Sequence, residues 1–345
     1  MPSELALYRK YRPETFKDVV GQEHIVKVIE SSLKSGKIAH AYLLTGSRGT
    51  GKTTIARIIA RELGTSANDI YEMDAASNRG IDDIRSLREG VSTLPFDSKY
   101  KVYIIDEVHM LTKEAFNALL KTLEEPPAHV IFILATTELE KVPDTIVSRC
   151  QTFAFKKPNE SVLKSVVDAT AKKEGFTFED GAGELIALLG DGSFRDTLSI
   201  LQKVLSYSKD KKISLEEVET ITGAPNTTLV GQFLSALAEK NIGKGIEALK
   251  TVSAQNGDMK VFSKLVIARM RTLLLLRYAP EMKESLSERF GETELNYLKD
   301  LLKSKSDALS SKSLARLLAA YQDLRTAFIP ELPLELALID ILGKE

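Results

Sequence analysis

Along the first 155 residues, short apolar runs alternate with stretches in which apolar side chains recur every three or four positions. The runs are too short for helices and read as buried strands; the recurring positions read as amphipathic helices. Ala41-Tyr42-Leu43-Leu44 is the first strand, and 54–61 the helix after it. Ile25, Val28, Ile29 and Leu33 mark an earlier helix over about 23–33. Glu72-Met73-Asp74-Ala75 ends a second strand, followed by a helix through Ile81, Ile84, Leu87 and Arg88. Lys101 to Glu107 is a third strand. Phe116, Leu119, Leu120 and Leu123 form a core-facing helical stripe that Pro126-Pro127 ends, and His129 to Thr137 is a fourth strand. Strands alternating with helices predict a parallel α/β sheet over 38–155.

Beyond Phe155 the period is helical almost throughout. Helices are expected near 160–174, near 182–190 and from Gly192-Ser193-Phe194-Arg195-Asp196 to about Tyr207. Gly223-Ala224-Pro225-Asn226 breaks the chain, and long helices follow, among them 261–278, 313–326 and 332–342. The last is strongly apolar and must be buried internally or against another subunit. The expected domains are therefore 1–157, 158–224 and 225–345, which suits a chain of 345 residues.

Composition narrows the class only slightly. A net charge of −1 excludes a polycation, so any nucleic-acid contact must be a local patch. There is no apolar run of bilayer length, and the first ten residues are polar and charged rather than a secretory signal, so a cytoplasmic protein without membrane contact is expected. The single cysteine, Cys150, leaves no internal disulfide and no cysteine-based zinc site.

The chemistry is concentrated in Gly46-Ser47-Arg48-Gly49-Thr50-Gly51-Lys52-Thr53, which fits G-x-x-x-x-G-K-[ST] between a strand and a helix. Glycines let successive backbone N–H groups curl around phosphate oxygens, and the helix N-terminus adds partial positive charge. Thr54, which opens the helix, is expected at the nucleotide with the loop; Lys52 is expected on the β- and γ-phosphates and Thr53 on Mg²⁺. The third strand closes on Asp106-Glu107, which suits a metal-holding carboxylate followed by one that polarises the attacking water. Thr136 and Thr137 end the fourth strand, where open α/β sheets place ligand-sensing groups. The basic-aromatic segment Tyr8-Arg9-Lys10-Tyr11-Arg12-Pro13 reads either as a cover for the adenine or as an arm packed on the core.

Together these pieces resemble an AAA+ ATPase: an α/β P-loop module with a parallel sheet, a small helical lid and an all-α C-terminal collar. Longer strings narrow the likeness. Tyr8-Arg9-Lys10-Tyr11-Arg12-Pro13, Val20-Gly21-Gln22, Asp74-Ala75-Ala76-Ser77-Asn78-Arg79-Gly80, Ile105-Asp106-Glu107-Val108-His109-Met110-Leu111, Leu123-Glu124-Glu125-Pro126-Pro127, Ser148-Arg149-Cys150 and Pro333-Leu334-Glu335-Leu336-Ala337-Leu338 resemble the gamma/tau family of bacterial DNA polymerase III. These are the ATP-hydrolysing motors of the sliding-clamp loader.

The resemblance implies further roles. Arg149 would be an arginine finger reaching a neighbouring subunit's ATP, and Arg195 a lid-borne sensor of the γ-phosphate. Thr136 or Thr137 would be the sensor on the fourth strand, and Val19 and Val20 would line the adenine pocket. Arg79 and Arg85 would hold DNA phosphates, and Lys121 would couple DNA to Glu107. The implied partners are delta- and delta-prime-like loader subunits, copies of this chain, the sliding clamp and primer–template DNA. ATP and Mg²⁺ are the implied ligands. The family's four-cysteine zinc module is missing from the short interval 62–69, so zinc is not expected. The long form's polymerase- and helicase-binding domains are likewise not expected within these residues. Two other readings remain open: a different AAA+ DNA remodeller such as a branch-migration motor, and a non-hydrolysing ATP-binding scaffold. His109 reads as a packing residue, and Cys150 as a small buried side chain.

Overall fold

The computed structural model describes residues 5–208, 210–282, 292–304 and 306–343. They form two compact units, which are taken separately: 5–163 with 190–199, and 164–189 with the described residues from 200 onward.

The first unit is built on five parallel strands: β1 Ala41–Thr45, β2 Ile70–Asp74, β3 Lys101–Asp106, β4 Val130–Thr136 and β5 Gln151–Ala154. Their order across the sheet is β2-β3-β4-β1-β5. β1 and β4 have no exposed residue, as expected for strands covered on both faces. Alternate side chains feed two separate cores. Leu43, Ile105, Phe132 and Leu134 pack with Ile84, Phe116 and Leu119 of helices Ile81–Val91 and Lys113–Glu124. Leu44, Ile104, Ile131 and Ile133 pack with Ile25, Ile29, Ile55, Ile58 and Ile59 of helices Glu23–Lys34 and Lys52–Glu62. The unit is therefore a three-layer α/β/α sandwich.

Four of the five strands are those expected. β5 was not, because only Phe153 of its four residues is buried and it carries no hydrophobic run. The interval without cysteines closes with a 3₁₀ turn, Ala67–Asp69. Asp69 has no exposed surface there and accepts the backbone N–H groups of Phe96 (2.6 Å) and Asp97 (2.9 Å). Burial works against its charge, but these donors and Ser98 hold the carboxyl at about 2. The loop so anchored presents Leu94 and Phe96 almost fully to solvent.

The second unit is helical apart from a two-stranded parallel pair, β6 Thr177–Phe178 and β7 Lys212–Ile213. Its helices include Thr227–Glu239, Ile242–Ala254, Met259–Tyr278, Ser311–Asp323 and Leu332–Leu342. Phe233 and Phe262 meet edge to face at 5.6 Å. Leu332–Leu342 buries Leu334, Ala337 and Leu338 against this unit, while Leu336 and Ile339 stay exposed. Leu338 packs directly over Gly245, where a Cβ would lie 2.5 Å from it.

Candidate nucleotide site

Every strand of the sheet runs the same way, so the loops after β1, β3 and β4 gather at one edge. β4 lies between β1 and β3. Residues ending β4 therefore fall between the glycine-rich loop and Asp106.

Gly46, Gly49 and Gly51 have φ of 139°, 75° and 102°, a region closed to most side chains. Two of them are also crowded. A Cβ on Gly46 would stand 2.7 Å from the Phe155 carbonyl, and one on Gly49 2.0 Å from Ser193 Oγ. Lys52 opens its helix and is nearly buried; its Nζ donates to the carbonyls of Gly46 (2.7 Å) and Ser47 (2.9 Å). Burial lowers the Lys52 pKa, opposed by the nearby charges of Glu107 and Asp106. The ammonium thus spans the loop from inside.

Thr53 donates to Asp106 Oδ2 at 2.6 Å. One hydroxyl and one carboxylate brought this close, beside a buried lysine, form a donor set suited to Mg²⁺ on a polyphosphate. Asp106 Oδ1 accepts the backbone N–H of Glu107 at 3.0 Å. Glu107 itself sits in the left-handed region, at φ 49° and ψ 44°. For a side-chain-bearing residue this stores about 1–3 kcal/mol of strain, of the kind found at functional sites. Its carboxylate accepts the Thr137 hydroxyl at 3.1 Å. Thr136 is buried and its Oγ1 lies 2.9 Å from His109 Nδ1. Both threonines are therefore engaged, Thr137 with Glu107 directly and Thr136 with His109.

The segment carrying Arg195 also reaches the loop. Phe194 donates its N–H to the Gly49 carbonyl at 2.9 Å. The Arg195 guanidinium lies 5.9 Å from the Tyr8 ring centroid, within cation–π range. Asp191, in the same segment, pairs with Lys157 at 3.2 Å. Arg12, from the N-terminal segment, is half-buried, and its pKa is lowered by burial and by Arg57, with Arg195 adding to the effect. Arg57 is held bidentately by Glu72, both distances 2.7 Å. Sequence reading singled out the segment that carries Arg12 but not its meeting with Arg57. Their spacing gives no sign of it, since they converge only through the fold.

Arg149 is placed elsewhere. The register pairs Tyr42 with Gln151, so Arg149, just before β5, lies beside the start of β1, while the glycine-rich loop follows its end. Its guanidinium donates to the Thr145 carbonyl and to Glu124, at 2.9 and 2.8 Å. Cys150 is partly buried, and burial pushes its thiol up to about 11, so it stays protonated. Val19 packs against the core with partial burial, while Val20 is exposed. Arg79, Arg85 and Lys121 are all exposed, and Arg85 pairs with Asp82 at 2.9 Å.

A profile for the family described as DNA polymerase III, delta subunit matches residues 21–79 and 64–159. The DNA polymerase III subunit tau of Bacillus subtilis (strain 168) is 42% identical over 304 residues, covering 82% of this chain and 54% of that protein. The DNA polymerase III subunit gamma of Buchnera aphidicola subsp. Baizongia pistaciae is 37% identical over 298 residues, 80% of this chain and 80% of that protein.

This chain belongs to the DNA polymerase III gamma/tau family.

It spans about half the length of the Bacillus tau relative, 54% by the alignment. Among solved structures, the Thermotoga maritima RuvB Holliday junction branch migration motor aligns with TM-score 0.54 and 24% identity, covering 72% of this chain and 85% of that one. That likeness is one of fold: a parallel α/β module followed by a helical region. The loop, Lys52, Thr53 and Asp106 provide groups suited to a nucleotide and Mg²⁺. Among the described residues, no helix is long and apolar enough to cross a membrane.

Proposed function

We propose that this gamma/tau chain is the ATP-hydrolysing motor subunit of a clamp loader, opening the sliding clamp and placing it on primed DNA. The observation that carries the reading is the Thr53–Asp106 pair at 2.6 Å with Glu107 next in the chain, beside a glycine-rich loop spanned by Lys52. A chain that only bound nucleotide would need the loop and Lys52 but not a water-activating carboxylate.

The triphosphate is held by the loop N–H groups and by Lys52, which exchanges its two carbonyl partners for phosphate oxygens. Thr53 and Asp106 would hold Mg²⁺, which would supply charge neutralisation for the triphosphate. Glu107 orients the attacking water, Thr136 or Thr137 senses the γ-phosphate end, and Arg195 approaches it from the lid. Arg149, at the other end of β1, cannot serve its own loop without refolding, which supports its acting on a neighbouring subunit's ATP. Val19 and Val20 flank the adenine. Arg79, Arg85 and Lys121 meet the phosphates of primer–template DNA. The same proposal divides the chain into an AAA+ domain over 1–157, a lid over 158–224 and a collar over 225–345. Delta- and delta-prime-like subunits and copies of this chain complete the loader, which acts in the cytoplasm.

The test is steady-state ATP hydrolysis by the assembled loader, with and without sliding clamp and primed DNA, for wild type and Arg149→Ala. Stimulation by clamp plus primed DNA that disappears in Arg149→Ala supports the motor and the shared site. Hydrolysis indifferent to clamp and to Arg149 refutes both.

A further inference from the structure

His109 sits two residues past Glu107 with only 5% of its side chain exposed, and it is more than filling. Its Nδ1 lies 2.9 Å from Thr136 Oγ1 and 3.5 Å from Glu107 Oε2, and its Nε2 lies 3.2 Å from Glu138 Oε1. Thr136 Oγ1 also accepts the Glu138 backbone N–H at 3.0 Å. Lys141, 2.7 Å from Glu138, holds that carboxyl below its usual range, so Glu138 remains an acceptor.

Each ring nitrogen thus has a hydrogen-bonding partner other than Glu107: Nδ1 the Thr136 hydroxyl and Nε2 the Glu138 carboxylate. The ring plane is fixed, and its Nδ1 edge forms a wall against the Glu107 carboxylate. Thr137 donates to the same Glu107 oxygen, Oε2, at 3.1 Å. A carboxylate on a left-handed backbone position, held by a donor and bordered by a fixed ring, has few places to go.

We propose that His109 is a positioning residue for ATP hydrolysis: clamped between Thr136 and Glu138, its ring sets where the Glu107 carboxylate lies, with Glu138 the outer half of the clamp. The proposal rests on the motor reading above, in which Glu107 orients the attacking water. A carboxylate misplaced by about 1 Å loses about 100-fold in rate, while the loop and Lys52, which hold the nucleotide, do not touch His109.

The experiment compares wild type, His109→Ala, His109→Gln, Glu138→Ala, the His109→Ala/Glu138→Ala double variant and Glu107→Gln, each in the assembled loader. It measures kcat for ATP hydrolysis, Kd for ATP and the melting temperature. Expected for His109→Ala is a fall in kcat of about 10- to 100-fold with an ATP Kd within about twofold of wild type. His109→Gln, whose amide N–H can reach Glu138, recovers part of that loss. Glu138→Ala lowers kcat less, and the double variant is no worse than His109→Ala alone, because the two act as one clamp. If His109→Ala does not fold, Glu138→Ala, at a partly exposed position, carries the test. Wild-type kcat in Glu138→Ala or in a folded His109→Ala overturns the proposal, as does a Kd that rises in step with the fall in kcat or a fully additive double variant. Glu107→Gln separates the two levels. If it hydrolyses ATP like wild type, the motor reading fails and this proposal with it; if it is inactive and the His109 and Glu138 variants are not impaired, only the clamp is wrong.

Discussion

Thr53 and Asp106 are joined by a 2.6 Å hydrogen bond between the first turn of a helix and the end of a strand two positions away in the sheet. The two groups expected to share a metal ion are therefore already in contact. Asp106→Asn should leave ATP binding in EDTA close to wild type but abolish the gain in affinity that Mg²⁺ brings. Titration of a fluorescent ATP analogue with and without Mg²⁺ reads this directly; an undiminished Mg²⁺ effect would remove Asp106 from the metal site.

Lys52 spends its ammonium on the carbonyls of Gly46 and Ser47, both within the loop. Lys52→Ala should raise the ATP Kd by roughly 100-fold, the loss of about 3 kcal/mol expected for charge-assisted contacts to phosphate. The melting temperature without nucleotide should change much less than that with saturating ATP. A Kd within a few-fold of wild type would mean that the lysine serves only the loop.

Gly49 and Gly64 have nearly equal φ, 75° and 73°, but a Cβ on Gly49 meets Ser193 Oγ at 2.0 Å while one on Gly64 meets nothing. Gly64→Ala should cost about 1–2 kcal/mol from backbone strain alone. Gly49→Ala should cost more in chemical denaturation and also weaken ATP binding. Equal destabilisation would show that the Ser193 contact yields freely.

Much of this was readable in the chain. The P-loop, Asp106, Glu107 and the two threonines are adjacent in sequence to the strands that carry them, so a local pattern finds them. What escaped depends on distant closure. β5 is defined by pairing to β1, not by its own residues. Asp69 meets a loop 27 and 28 residues away, through backbone N–H groups that no side-chain pattern records. His109 was read as packing, and its burial agrees, but its partners Thr136 and Glu138 come from another strand end.

Asp69 offers a prediction of its own. Its folded pKa of about 2 lies below the unfolded value of about 3.9. The stability it contributes is full above about pH 4 and fades as pH falls from there toward 2. Asp69→Asn should be less stable at pH 7 by roughly 1–3 kcal/mol, and the gap should narrow as urea melts are repeated toward pH 2. A gap constant with pH would mean the charge is not what anchors the loop.

Arg149 should separate activity from stability. Its ion pair with Glu124 is partly exposed, at 2.8 Å, and such pairs contribute about 0–1 kcal/mol. Arg149→Ala should therefore melt like wild type while the loader's hydrolysis falls by roughly 10³. A large stability loss would mark Arg149 as structural.

The left-handed backbone at Glu107 has a consequence for descent as well as for chemistry. Asparagine and glycine occupy that conformation far more easily than glutamate. At this one position, then, folding alone favours replacing the residue that hydrolysis would need. A copy of this gene released from hydrolysis would be expected to drift there toward asparagine or glycine and become sturdier as it lost activity. Glutamate at 107 is a residue that only continued use would keep in place.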